Sequence, residues 1–198
     1  MNKLTIHPHL DQIAEPIPTF PIRIHQYDRM IAAGVVEEDA PVFLWQGRLV
    51  TKMGSNRPQT LAVMRLMEAL RTILPDGYYL EQEQRLDFLL SDSSPEPDVK
   101  VVRGALEDYP DRPPTTKDVA MVVEVADSSL KQDMLKGLEY AREKVPITWI
   151  VRIPERDVFI FNGPRPKGYR KQIIVKDQVP VVVDRRKVGS IAVDAIIR

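Results

Sequence analysis

The sequence predicts a mixed α/β fold: one β-sheet with helices packed against it. Three observations point there. Val119-Ala-Met-Val-Val-Glu-Val125 is an apolar run of strand length, the pattern of a strand covered on both faces. Thr60 to Leu74 and Leu130 to Lys144 repeat apolar residues at helical spacing. Helical and strand-like segments also interleave along the chain, which favours one layered unit over two separate all-α and all-β parts.

The elements follow in order. Residues 1–21 are Pro-rich and aperiodic and are predicted to form an arm, with residues 22–198 as a single domain. His25 to Ala33 predicts a short helix ended by Gly34. Val42 to Trp45 and Arg48 to Met53 predict an N-terminal β-hairpin turning at Gln46-Gly47. In Thr60 to Leu74 the apolar stripe is Val63, Leu66, Met67, Leu70 and Leu74, with Arg65, Glu68 and Arg71 outward. Pro75-Asp76-Gly77 stops that helix. Tyr78 to Leu90 predicts one strand or two short ones, Ser91 to Pro97 a turn-rich bridge, and Val99 to Val102 a buried strand. After a Pro-rich excursion over 104–117 comes Val119 to Val125, predicted to be central. The second helix, Leu130 to Lys144, should face the core with Leu130, Met134, Leu138 and Ala141. Ile147 to Ile153 and Asp157 to Phe161 predict a hairpin around Pro154-Glu-Arg156, and Val179 to Val183 and Ile191 to Ile197 two further strands.

Composition narrows the chemistry. The chain has 198 residues, 43% hydrophobic and 28% charged, which suits one substantial core in a soluble protein. No apolar stretch approaches the roughly 18 to 20 residues that span a bilayer, and the N-terminus lacks an apolar signal core. A cytoplasmic protein with no membrane partner is the expectation. With no cysteine, disulfides, thiolate zinc sites, iron–sulfur clusters and a cysteine nucleophile are excluded. The three histidines, His7, His9 and His25, all lie near the N-terminus, so a metal would be held by oxygen ligands. Formal net charge is zero, yet acids outnumber bases over 75–112 and bases outnumber acids over 151–198. That separation suits a cation site beside a surface for an anionic polymer, and equally an ordinary variation in surface charge.

Two acids stand out. Asp98 follows Pro97 at the entrance to a strand, and Glu124 interrupts the most apolar run. A carboxylate in a buried strand is costly unless something compensates it, and two on neighbouring strands can share a hard divalent cation. At about 100° per residue, Asp133, Lys136 and Tyr140 share one flank of the second helix, beside its apolar stripe. Two acids, a metal and a lysine are a workable set for cutting a phosphodiester. Each residue has an ordinary alternative. Asp98 can be a turn residue, Glu124 a buried acid paired with Lys136, and Lys136 a solvated lysine; Tyr140 reads as packing. Asp127 and Ser128 read as turn and cap residues. Arg165, Lys167, Arg170 and Lys171, with Arg185, Arg186 and Lys187, are candidate phosphate contacts or merely solvated charges.

Five segments carry a resemblance in their order and spacing: Leu44-Trp-Gln-Gly-Arg-Leu-Val-Thr-Lys-Met53, Ser94-Pro-Glu-Pro-Asp-Val-Lys-Val-Val-Arg-Gly104, Val122-Val-Glu-Val-Ala-Asp-Ser-Ser-Leu130, Lys136-x-x-x-Tyr-Ala141 and Val145-Pro-Ile-Thr-Trp-Ile-Val151. Over roughly residues 22 to 198 the chain resembles the Uma2 (DUF820) family of the PD-(D/E)XK restriction-endonuclease-like superfamily. The resemblance implies a restriction-endonuclease-like mixed sheet flanked by helices and a centre dependent on Mg²⁺ or Mn²⁺. Asp98 would be the first acid and Glu124 the second, both metal ligands, with Glu83 a further candidate ligand. Ala126 stands where the superfamily usually has its lysine, and Lys136 would supply that group from the next helix. The implied activity is hydrolysis of duplex DNA by a homodimer. The chain departs from the family pattern at Gln59 (commonly His), Phe43 (often Glu), Lys144 (commonly Gly) and in a one-residue deletion between Asp133 and Lys136. Those departures keep a second reading open, a lapsed member acting as a nucleic-acid-binding or protein-assembly module. A third is a metal phosphohydrolase acting on a small nucleotide.

Overall fold

The computed structural model describes residues 19–198 except 38 and 53. The arm expected over 1–21, including His7 and His9, therefore lies largely outside the described residues, as does Met53. The elements run α1 (Ile24–Ala32), β1 (Val42–Trp45), β2 (Arg48–Thr51), α2 (Arg57–Ile73), β3 (Tyr78–Glu81), β4 (Val99–Arg103), β5 (Val119–Ala126), α3 (Leu130–Arg142), β6 (Ile147–Arg152), β7 (Asp157–Arg165), β8 (Gly168–Val175), β9 (Gln178–Val183), β10 (Arg186–Ala192) and α4 (Val193–Ile196).

Six strands form the main sheet in the order β3-β4-β5-β6-β7-β8. Only β5 and β6 run parallel, and α3 is the crossover between them, as a parallel pair requires. Val119 to Ala126 is buried at every position, and β5 lies inside the sheet as its unbroken apolar pattern predicts. On one face, Val99, Val101, Val123, Trp149 and Ile160 pack with α2, α4 and the β9–β10 ribbon. On the other lie α3 and the segment after β3, meeting at Phe88, Val122 and Tyr140.

The N-terminal hairpin forms in the expected register, Trp45 opposite Arg48. Gln46 (φ 48°) and Gly47 (φ 72°) both take the left-handed conformation that a two-residue turn matching strand twist demands. At Gly47 a β-carbon would also meet the Pro21 side chain at 2.7 Å. Helix α2 begins three residues earlier than predicted. Asn56 caps it by accepting the Gln59 N–H at 3.0 Å, and proline occupies the first turn where its missing N–H costs nothing.

Four expectations are corrected. The strand over 78–90 contracts to β3, and the chain then loops, so Glu83 stands beyond the strand, at φ 49°. Strand β8 was not predicted, because Arg170 and Lys171 obscure its alternation; it is an edge strand, where such charges discourage further pairing. Only the start of 191–197 is strand: Val193, Ile196 and Ile197 follow the helical period and bury one turn of α4. Finally, α3 keeps Leu130, Met134 and Ala141 on the core side as expected but turns Leu138 outward. Leu138 is 45% exposed, whereas Asp133, Gly137, Tyr140 and Ala141 are buried. Gly137 packs over Ile150, where a β-carbon would make ordinary van der Waals contact at 4.0 Å.

Candidate active site

The site is built on the β4–β5 ladder. Val99 pairs with Val123, so Asp98 and Glu124 occupy the next rung, where β4 begins. Asp98 takes the place of a ladder acceptor: its Oδ2 accepts the Val125 N–H at 2.6 Å. Pro97 puts the preceding backbone in extended form but contributes no N–H, which leaves this strand end to side-chain chemistry.

Glu124 is 1% exposed and points toward α3. Two α3 residues one turn apart answer it. Lys136 Nζ lies 3.1 Å from Glu124 Oε2, and the buried Tyr140 hydroxyl donates to Glu124 Oε1. Lys136 also stands 3.5 Å from Asp133 Oδ1, and Ser129 Oγ donates to Asp133 Oδ2 at 2.5 Å. The charged flank of α3 thus packs on the sheet beside its apolar stripe, and Leu138, on the far side of that stripe, is left exposed.

Electrostatically the cluster has too many acids. Burial pushes Asp98 up to about 6, against the lowering effects of the Val125 N–H and Lys136; the neighbouring Gln59 amide also favours its ionised form. Burial raises Glu124 to about 8, with Asp98 and Asp133 adding to the rise and Lys136 and Tyr140 opposing it. Burial alone would lower Lys136, but the carboxylates of Glu124, Asp133 and Asp98 more than offset that and hold it charged. Burial, then Glu124, raises Tyr140 far enough to keep its hydroxyl a donor.

These groups open into a cleft of about 750 Å³. Its walls are the N-terminal hairpin, the first turn of α2, the loop before β4 and the start of α3. The cleft therefore gathers Asp98, Glu124 and Lys136, three residues that the sequence analysis placed in one site. Glu83 lines the same cleft but bonds elsewhere, with Ser55 Oγ 3.4 Å from its Oε1. Among the described residues no three His, Asp or Glu side chains converge as a ready cage for a metal ion. Phe43 and Gln59 line the cleft as well, so two departures from the family pattern fall at the site itself. Asp133 and Tyr140 are the site members that the sequence analysis left without a role. The three- and four-residue spacing around Lys136 was the available signal, once the buried face of α3 was known.

A family model described as "Uma2: Putative restriction endonuclease" matches residues 24–185. No curated protein matches the chain. Among solved structures, the chain is similar to "a putative nuclease belonging to DUF820" from Anabaena variabilis ATCC 29413. The TM-score is 0.66 at 13% identity, and the match covers 89% of this chain and 97% of that one. At that identity the likeness is one of fold. No described helix is long and apolar enough to cross a membrane.

Proposed function

The chain belongs to the Uma2 family, and on that footing we propose that it is a metal-dependent endonuclease that hydrolyses DNA phosphodiester bonds. The observation that carries the proposal is the charge imbalance on the rung of Asp98 and Glu124. Three buried or half-buried acids, Asp98, Glu124 and Asp133, surround a single cation, Lys136. A divalent cation at the two strand acids would correct the deficit. The donors are all oxygen, the class that Mg²⁺ and Mn²⁺ prefer. A carboxylate oxygen has capacity beyond one hydrogen bond, so the partners that Asp98 and Glu124 already hold leave room for a metal.

Asp98 and Glu124 would hold the ion, with Glu83 as a further ligand from the cleft wall. When bound, the ion would draw charge from a phosphoryl oxygen and acidify water. Lys136, held protonated by its three carboxylates, would orient the attacking water or neutralise the pentacovalent charge. Tyr140 fixes one Glu124 oxygen by donating to it, and Asp133 steers Lys136. Symmetric cutting of duplex DNA calls for two such centres, which suits a homodimer.

Lys136 and Tyr140 already satisfy both oxygens of Glu124. That self-sufficiency favours a second reading, a lapsed site in a nucleic-acid-binding or assembly module. Calorimetric titration with Mn²⁺ separates the two. The nuclease reading expects saturable binding that Glu124→Gln abolishes, and plasmid cleavage that Asp98→Asn and Glu124→Gln both lose. Plasmid cleavage that survives these substitutions would remove the site from the mechanism.

A further inference from the structure

A second cavity, of about 900 Å³, lies on the opposite face of the sheet from Glu124. Strand register builds its floor from two cross-strand rows: Trp149, Ile160 and Ile173, then Ile147, Asn162 and Lys171. Pro180 and Val182 of β9 form the wall. Trp149 (1% exposed) and Ile160 (5%) are nearly covered, so the open apolar surface of the cleft belongs to the half-buried Ile173, Pro180 and Val182.

The rim is cationic. Lys144, Lys171 and Arg185 line it, and among the described residues none of them forms an ion pair. The single acid there, Asp184, is taken up by Arg103, whose Nε reaches Oδ2 at 2.9 Å, and by the Tyr78 hydroxyl at 2.6 Å. Two of the three rim cations stand in left-handed backbone, Lys144 at φ 65° and Arg185 at φ 68°. Each follows from the chain path, Lys144 ending α3 and Arg185 turning β9 into β10, and both side chains are thereby placed at the rim. Lys144 from the end of α3, Lys171 from β8 and Arg185 from the β9–β10 turn thus meet at one rim.

We propose that this cavity binds an organic anion with an apolar body, of the class of a medium-chain carboxylate, its head on Lys144, Lys171 and Arg185 and its body over Ile173 and against Pro180 and Val182. The apolar wall between the cations distinguishes this surface from a track for nucleic-acid phosphates, where cations line the backbone's path. The proposal does not rest on the nuclease reading, since it shares no residue with the first cleft.

Trp149 on the floor is a built-in reporter. Trp45→Phe leaves it the only tryptophan, and its emission is followed while decanoate is added below its micellar concentration. The expected result is a saturable change, at least tenfold weaker with decanol, absent with acetate, and at least tenfold weaker with decanoate in Lys144→Ala/Lys171→Ala/Arg185→Ala. The proposal is overturned if decanol matches decanoate, if the triple variant matches its parent, or if no saturable change occurs. The ligand series keeps the test decisive should the triple variant fold poorly.

Discussion

Lys136 Nζ stands 3.1 Å from Glu124 Oε2, a cation from a helix meeting an acid from the centre of the sheet. Glu124 is almost wholly buried, whereas the Lys136 side chain is 25% exposed. Removing the lysine leaves a desolvated acid without its nearest cation. Lys136→Met should therefore cost about 2 kcal/mol, less than the roughly 3–5 kcal/mol of a fully buried broken pair, because water reaches the ammonium. If a metal shares Glu124, the same substitution removes a competing charge. Mn²⁺ should then bind more tightly in Lys136→Met while DNA cleavage falls by at least about 100-fold. Calorimetry and a plasmid assay on one preparation check both signs. Weaker Mn²⁺ binding in this variant would place Lys136 on the side of metal binding instead.

Asp98 has two separable duties. Its Oδ2 caps the Val125 N–H, and its charge is the part available to a metal. Asp98→Asn keeps an acceptor at that atom, while Asp98→Ala leaves a strand N–H unpaired at about 1–3 kcal/mol. Urea unfolding should find Asp98→Ala less stable than Asp98→Asn by that margin. Cleavage should be lost in both. Equal stability of the two would mean that the N–H finds another acceptor.

The raised acids set the sign of the pH dependence. Asp98 (about 6) and Glu124 (about 8) bind protons more tightly folded than unfolded. Their contribution to stability is full below the ordinary carboxylate range and is lost as pH rises through those values. Without divalent metal, stability should fall by more than about 1 kcal/mol between pH 5 and pH 8, one pKa unit being about 1.4 kcal/mol. Glu124→Gln, fixed in a neutral state, should flatten most of that slope. Urea midpoints across this range, in EDTA, give the answer, and a rise with pH would contradict the charge imbalance.

Lys100 lies on the same face of β4 as Asp98 and is fully buried. Its Nζ donates to the Gln84 and Arg85 carbonyls at 2.7 and 2.8 Å. It also lies 2.6 Å from Glu81 Oε2, a contact of charges without the angle of a hydrogen bond. Burial lowers its pKa and Glu81 opposes that. The lysine therefore pins the loop that carries Glu83 into the cleft. Lys100→Met should cost about 3 kcal/mol, and pairing it with Glu81→Gln should recover at least about 1 kcal/mol, since no unpaired acid then remains. Additive effects in this cycle would show that the two side chains act independently.

Much of this was legible in sequence, for physical reasons that differ by element. Strand β5 announced itself because a strand covered on both faces has no polar alternation to obscure it, and Glu124 stood out against that background. That Asp98 and Glu124 lie on neighbouring strands was legible; that they share one rung was not, since that depends on a register only the β4–β5 ladder fixes. Helix α3 misled at one position. Apolar periodicity placed Leu130, Met134 and Ala141 on the core side, as found, but also Leu138, which is exposed because Lys136 and Tyr140 turn toward Glu124. A face chosen by charge compensation leaves little trace in a hydrophobic pattern.

Helix α3 also ends on a residue the backbone does not suit. The Val145 N–H donates to the Tyr140 carbonyl at 2.9 Å and the Lys144 N–H to the Ala141 carbonyl at 3.1 Å, a paired termination that places Lys144 at φ 65°. Glycine is the residue this position favours, because a β-carbon costs about 1–2 kcal/mol in left-handed backbone. Lys144→Gly should raise stability by about 1 kcal/mol, part of the gain being offset by the greater freedom of glycine in the unfolded chain. Lys144→Ala removes the same charge but keeps the β-carbon, so it should show no such gain. Chemical denaturation of the two variants separates backbone strain from charge: equal midpoints would mean that the left-handed turn is not what limits stability at the end of this helix.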